Sequence, residues 1–193
     1  MRIAGCALVT LALLTWTPAA RAQDLPRGQI IDDVKCVGNP TQSYALYLAS
    51  SYAPNRPWNL LIGFHPGARG RPIVETYRGA AERFGYIVAG SNNSRNGPWE
   101  TSVAAIQAMS VDLGQRFSID QRRLYMTGHS GGARVALQVA LTTKRVAGVI
   151  ASSAGYPDSK PRTSVPFVLF STAGTEDFNN IEMQLLDRAL KTP

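Results

Sequence analysis

The 193-residue sequence contains two histidines and two cysteines. Histidine performs much of the proton transfer in enzymes near pH 7, so His65 and His129 leave little choice of base. Cys6 falls in an N-terminal stretch expected to be removed. That leaves Cys36 alone, which excludes an intramolecular disulfide even in a compartment that would permit one. No histidine lies near Cys36 in the sequence, so it reads as a packed or free thiol rather than a nucleophile. Beyond the N-terminus, no apolar run approaches the roughly 18 residues a membrane helix needs. The net charge is +7, but the basic residues are scattered, with Arg122-Arg123 and Lys144-Arg145 the only adjacent pairs. Nucleic-acid binding needs a clustered basic face, so that class is set aside. Only mild attraction to acidic surfaces follows from the charge. No His/Cys/Asp cluster has metal-ligand spacing, so no metal or cofactor is expected.

What is present suits one globular domain. The chain is 45% hydrophobic, and its 17 glycines and 12 prolines are near average proportions. Residues 1–22 read as a secretory signal peptide. Arg2 supplies the positive start, and Ile3 to Trp16 form the apolar core. Thr17-Pro18 break it, and Ala20-Arg21-Ala22 is an A-x-A cleavage signal. About 14 apolar residues are too few to span a bilayer comfortably. Residues 23–193 are then expected to form the exported domain, secreted or periplasmic.

From residue 44 onward, short apolar runs alternate with amphipathic stretches. The runs Tyr44 to Ala49, Asn59 to Phe64, Tyr86 to Ala89, Arg123 to Thr127, Val146 to Ser152 and Pro166 to Ser171 read as strands. Helices are expected from Pro72 to Phe84, closed by Gly85, along the face marked by Val103, Ile106, Met109, Leu113 and Phe117, and over Ala133 to Thr142 and Ile181 to Lys191. Ser91 to Pro98 is a polar loop. Strands alternating with helices imply a mainly parallel α/β sheet with helices on both faces. Strands without polar alternation fit a sheet covered on both sides. Ligands of such sheets bind at the carboxyl ends of the strands.

Three motifs sit at such ends. Gly128-His129-Ser130-Gly131-Gly132 is G-x-S-x-G between a strand and a helix, the context of a nucleophile elbow. The turn strains Ser130 and lifts its Oγ above the sheet. Gly128 and Gly132 mark places where strand and helix pass too close for a Cβ. Gly131 presents its N–H at a helix start, where donors are free and the dipole favours an anion. The bland alternative is an ordinary Gly-rich turn. The second motif is Phe64-His65-Pro66-Gly67-Ala68-Arg69-Gly70, also readable as a plain Pro-Gly connector. The third is Ala173-Gly174-Thr175-Glu176-Asp177, where the plainer reading of Asp177 is a turn acid or an N-cap for the helix from Ile181. Asp158 reads as loop chemistry.

Together with Asp120-x-x-Arg123-Leu124-Tyr125, these blocks resemble the α/β-hydrolase superfamily. They are most similar to secreted serine esterases of the poly(3-hydroxybutyrate) depolymerase and feruloyl esterase group. The segment Ser91 to Glu100 is similar to that group's loop after the fourth strand. The resemblance runs over about residues 40–193. It implies the α/β-hydrolase fold, Ser130 as nucleophile, Asp177 as triad acid with Glu176 its rival, and Gly131 as an oxyanion donor. It also implies a second donor from the loop after the third strand. Pro66 cannot donate, which leaves Gly67 or Ala68. The substrate would be a small or polymeric ester.

The departure is the histidine. The family's base follows the acid after one more strand, and no histidine follows Asp177. His129 adjoins Ser130, but consecutive side chains at an elbow diverge. His65 is near the site yet resembles a structural loop residue. Either the last strand and the His loop lie outside these 193 residues, or the protein is a non-catalytic relative that binds ligands. Every other element is in place, which favours the first and leads to an expectation of near-inactivity for the 193-residue form alone. The short connection between Ala154 and Val165 is expected to leave an open cleft without a large lid.

Overall fold

The computed structural model describes residues 25–156 and 164–191. The expected signal peptide, Asp158 and much of the Ala154–Val165 connection lie outside the described residues.

The chain runs β1 (Ile30–Cys36), β2 (Asn39–Leu48), β3 (Trp58–Phe64), α1 (Gly70–Phe84), β4 (Tyr86–Ser91), α2 (Trp99–Arg116), β5 (Ile119–His129), α3 (Gly131–Thr143), β6 (Gly148–Ser152), β7 (Val168–Thr172) and α4 (Asn180–Lys191). The strands form one sheet in the order β1-β2-β4-β3-β5-β6-β7. β1 and β2 are antiparallel to their neighbours, and β4, β3, β5, β6 and β7 pair in parallel.

The expected elements are present, one unexpected strand precedes them, two strands begin well before their expected starts, and other bounds shift by smaller amounts. β1 precedes every strand read from the sequence. Its side chains break the two-residue period because the register shifts between Ile31 and Val34, and a bulge of this kind hides a strand from pattern reading. β2 starts at Asn39 rather than Tyr44, since its first residues are polar and exposed. β5 runs well beyond Arg123 to Thr127. Its early residues Gln121, Arg122 and Arg123 are exposed and carry no apolar signal.

β3 is apolar on both faces because both faces are covered. On one side Leu46, Leu60, Ile62 and Phe64 pack with Met109 and Leu113 of α2, Leu137 of α3 and Met183 of α4. On the other, Ala45, Leu61 and Val88 pack against Val74 and Ala81 of α1. Gly85 ends α1 at φ 72°, a left-handed conformation that favours glycine. A buried polar knot ties the antiparallel edge to α2: Asp112 accepts from Tyr44 OH at 2.7 Å, Val37 N–H at 2.8 Å and Arg116 Nε at 2.6 Å. Cys36 is buried beside this knot. Burial, with Asp112 adding to it, pushes its thiol up to about 11. No helix among the described residues is long and apolar enough to cross a membrane.

Candidate functional site

The parallel strands β3, β4, β5 and β7 deliver four loops to one end of the sheet. The sharpest turn follows β5. Ser130 stands between strand and helix at φ 53° and ψ −123°, a conformation costly for a side chain with a Cβ. Its N–H donates to Ser152 O at 2.8 Å, and its carbonyl accepts from Ala133 N–H at 2.8 Å. The Ser130 backbone is thus held from both sides. Its Oγ makes no hydrogen bond to the described residues.

The neighbouring glycines are set by close backbone crossings. A Cβ on Gly128 would lie 2.2 Å from the Gly132 carbonyl carbon, and one on Gly132 would lie 2.1 Å from Phe64 O. Any larger residue would separate β5, α3 and β3. Gly131 opens α3, and its N–H precedes the helical ladder, where the helix dipole favours negative charge.

The loop after β3 lies beside the elbow. Its two expected donors are engaged locally: Gly67 N–H donates to His65 Nδ1 at 3.0 Å, and Ala68 N–H to His65 O at 3.2 Å. Ala68 adopts φ 55°. Arg69 Nη2 lies 3.1 Å from His65 Nε2. Burial lowers the His65 pKa, and the Arg69 charge lowers it further. His65 is therefore held away from the imidazolium form by its own loop. Its ring centroid is 6.4 Å from that of His129, which is exposed.

Asp177 lies after β7. Its Oδ1 accepts Asn179 N–H at 2.8 Å. A hydrogen bond from Ser153 is the main cause that holds its carboxyl below the usual carboxylate range, with Asn179 next and the His129 charge a smaller contribution. Asn179 is buried and donates through Nδ2 to Ser153 O at 2.7 Å. Ser153 follows Ser152, so one bonded path joins the Ser130 and Asp177 loops across the end of β6. Glu176, its neighbour, is exposed. Sequence reading passed over Ser153; its only backbone signal, φ 61°, is invisible without coordinates. Among the described residues, no group of three His, Cys, Asp or Glu side chains could hold a metal ion.

No family model and no curated protein matches the chain. Solved structures do. The feruloyl esterase module from Clostridium thermocellum, complexed with sinapinate, superposes with TM-score 0.68 at 15% identity. The match covers 86% of this chain and 74% of that one. An S-formylglutathione hydrolase from Agrobacterium tumefaciens gives 0.57 at 16% identity, covering 78% and 77%. A thermostable esterase gives 0.57 at 18% identity, covering 83% of this chain and 50% of its own. This chain has the α/β-hydrolase fold. At these identities the likeness extends to architecture alone, and within it Ser130 occupies the strand–helix elbow after β5.

Proposed function

We propose that the chain is the body of an exported serine hydrolase that cleaves carboxylic esters. The observation that carries this reading is Ser130 itself. A strained serine, its Oγ unbonded, stands at the carboxyl end of a central strand and before a helix N-terminus. In the proposed mechanism, Ser130 Oγ attacks the ester carbonyl and loses its proton to a histidine. The carbonyl π pair moves onto oxygen, where Gly131 N–H stabilises the charge. Collapse of the tetrahedral species expels the alcohol, which takes the proton. Water then releases the acid from Ser130. Asp177 orients and stabilises the imidazolium. His65 is committed to its own loop, and consecutive side chains at an elbow are expected to diverge, so we assign the base to a segment outside these 193 residues. The substrate class is a bulky ester of the feruloyl type or a polyester, a reading supported by the likeness of fold to the feruloyl esterase module and by the resemblance of the sequence motifs.

The test uses the gene read to its natural stop codon. A fluorophosphonate probe is expected to label the wild-type protein and not Ser130→Ala, and p-nitrophenyl ester hydrolysis should fall by about 10⁴-fold or more in that variant. Absence of both labelling and hydrolysis in the wild type would overturn the enzyme reading in favour of a binding protein of the same fold.

A further inference from the structure

The loop after β4 carries three asparagines, and the structure uses them differently. Asn92 Oδ1 accepts Gly70 N–H at 3.0 Å, while its Nδ2 donates to Asp32 O at 2.9 Å and Ser43 Oγ at 3.3 Å. Asn93 Oδ1 accepts Ser43 N–H at 2.8 Å, and its Nδ2 donates to Thr41 O at 3.2 Å. Both side chains brace the loop against β1, β2 and the start of α1. The main chain of Asn96 is equally fixed: its N–H donates to Pro66 O at 2.9 Å, and Arg95 bridges to Gly67. The Asn96 carboxamide, by contrast, has no hydrogen-bond partner among the described residues.

That carboxamide rests on the elbow. A Cβ on Gly131 would lie 1.7 Å from Asn96 Oδ1, 2.8 Å from Cγ and 3.2 Å from Nδ2. The G-x-S-x-G pattern leaves the residue after serine open, so the elbow alone does not demand glycine at 131. Asn96 does. The missing side chain at 131 is the space in which the amide lies. Meanwhile the N–H groups of Gly67 and Ala68 are both engaged by His65. Gly131 N–H, at the start of α3, and the Asn96 amide remain as donors without a partner among the described residues on this side of the elbow.

We infer that Asn96 is a catalytic residue that supplies the second oxyanion donor through Nδ2, an inference resting on Ser130 being the nucleophile. As the ester carbonyl gains charge, Gly131 N–H and Asn96 Nδ2–H donate to its oxygen together. An amide has two donors, and no hydrogen bond opposes rotation of its last torsion toward the anion. Hydrogen bonds to a charged oxygen are the strong ones.

The experiment compares Asn96→Ala, Asn96→Asp and Gly131→Ala with the wild type, all read to the natural stop codon. Loss of one oxyanion donor is expected to lower kcat about 10²-fold with KM nearly unchanged. Asn96→Asp should fall further, because the isosteric carboxylate has no donor and repels the anion. Gly131→Ala should displace the amide and lose a similar factor, and adding Asn96→Ala to it should cost little more. Melting temperatures should stay near wild type for both Asn96 variants, whose side chain is exposed and unbonded. Wild-type kcat in Asn96→Ala, full activity in Asn96→Asp, or fully multiplicative losses in the double variant would each overturn the assignment. A wild-type protein that neither hydrolyses esters nor labels at Ser130 fails one step earlier, at the nucleophile.

Discussion

At Ser130 three backbones meet almost in contact, whereas at Asp177 the chain is held mainly by side chains. β5, α3 and β3 approach so closely that Gly128 and Gly132 cannot carry a Cβ. The Asp177 loop instead hangs on Ser153 and on the Asn179 amide, and the helix that follows it, α4, is joined to α3 by the pair Arg134 and Glu182. Arg134 Nη1 and Nη2 donate to Glu182 Oε1 and Oε2, each at 2.7 Å, and Gly155 N–H donates to Oε1 at 2.8 Å. Around this second region Phe178, Ile181 and Leu185 are exposed. The difference teaches where precision resides. Ser130 is placed by steric exclusion, which allows one geometry, and Asp177 by hydrogen bonds, which a substitution can loosen without unfolding the sheet.

The sharpest way to break this comparison is to add one methyl group to each region. In Gly132→Ala the new Cβ meets Phe64 O at 2.1 Å and its carbonyl carbon at 2.5 Å, both backbone atoms that cannot rotate away. A loss of at least about 3 kcal/mol is expected, the top of the usual range for overpacking. It should appear as a melting temperature lower by about 6–12 °C for a chain of this size. In Gly174→Ala the nearest atoms are 3.9 Å away, and the change should stay within about 0.5 kcal/mol. Equal effects in the two variants would remove the distinction.

The elbow was legible because its cause is local. Five consecutive residues between an apolar run and a helical pattern specify it, and Gly85 at the end of α1 and the apolar β3 were legible for the same reason. The order of strands was partly legible, since alternation implies a parallel sheet, but β1 was not. Its bulge between Ile31 and Val34 removes the period a reader looks for. The site's supports were not legible either. Asn92 meets Gly70, Asn93 meets Ser43 and Asp177 meets Ser153 only after the chain has folded. Nothing in S-N-N-S-R-N distinguishes the two bracing asparagines from Asn96. The two N–H groups expected to receive the oxyanion are turned onto His65, a local bond that spacing does not reveal.

A smaller effect tests the side-chain side of the comparison through pH. The Arg134 hydrogen bonds are the first cause that lowers the Glu182 pKa below its ordinary value of 4.5. A carboxyl depressed in the folded state contributes stability above its unfolded pKa and loses it as pH falls through the folded one. The contribution is therefore complete at pH 7 and decays below about 4.5. Both side chains are about a third exposed, so screening limits the pair to roughly 1 kcal/mol. Urea melts at pH 7 and pH 4 should show Glu182→Gln closing part of the gap between the two conditions. A pH dependence identical to wild type would detach α4 docking from this pair.

The smallest expected effect on stability concerns β7, whose exposure alternates where β3 is covered throughout. Val168 is 75% exposed and Phe170 62% exposed. They edge an apolar groove of about 320 Å³ between α1 and strands β5 to β7, lined also by Leu61, Val88 and Tyr125. Exposed apolar strand edges promote association. Phe170→Lys removes apolar surface without removing a buried contact, so stability should change by no more than about 0.5 kcal/mol. Light scattering on heating should nevertheless begin later than in the wild type. A large loss of stability would mean that Phe170 packs in solution like the residues of β3, and the contrast between the middle of the sheet and its β7 edge would disappear.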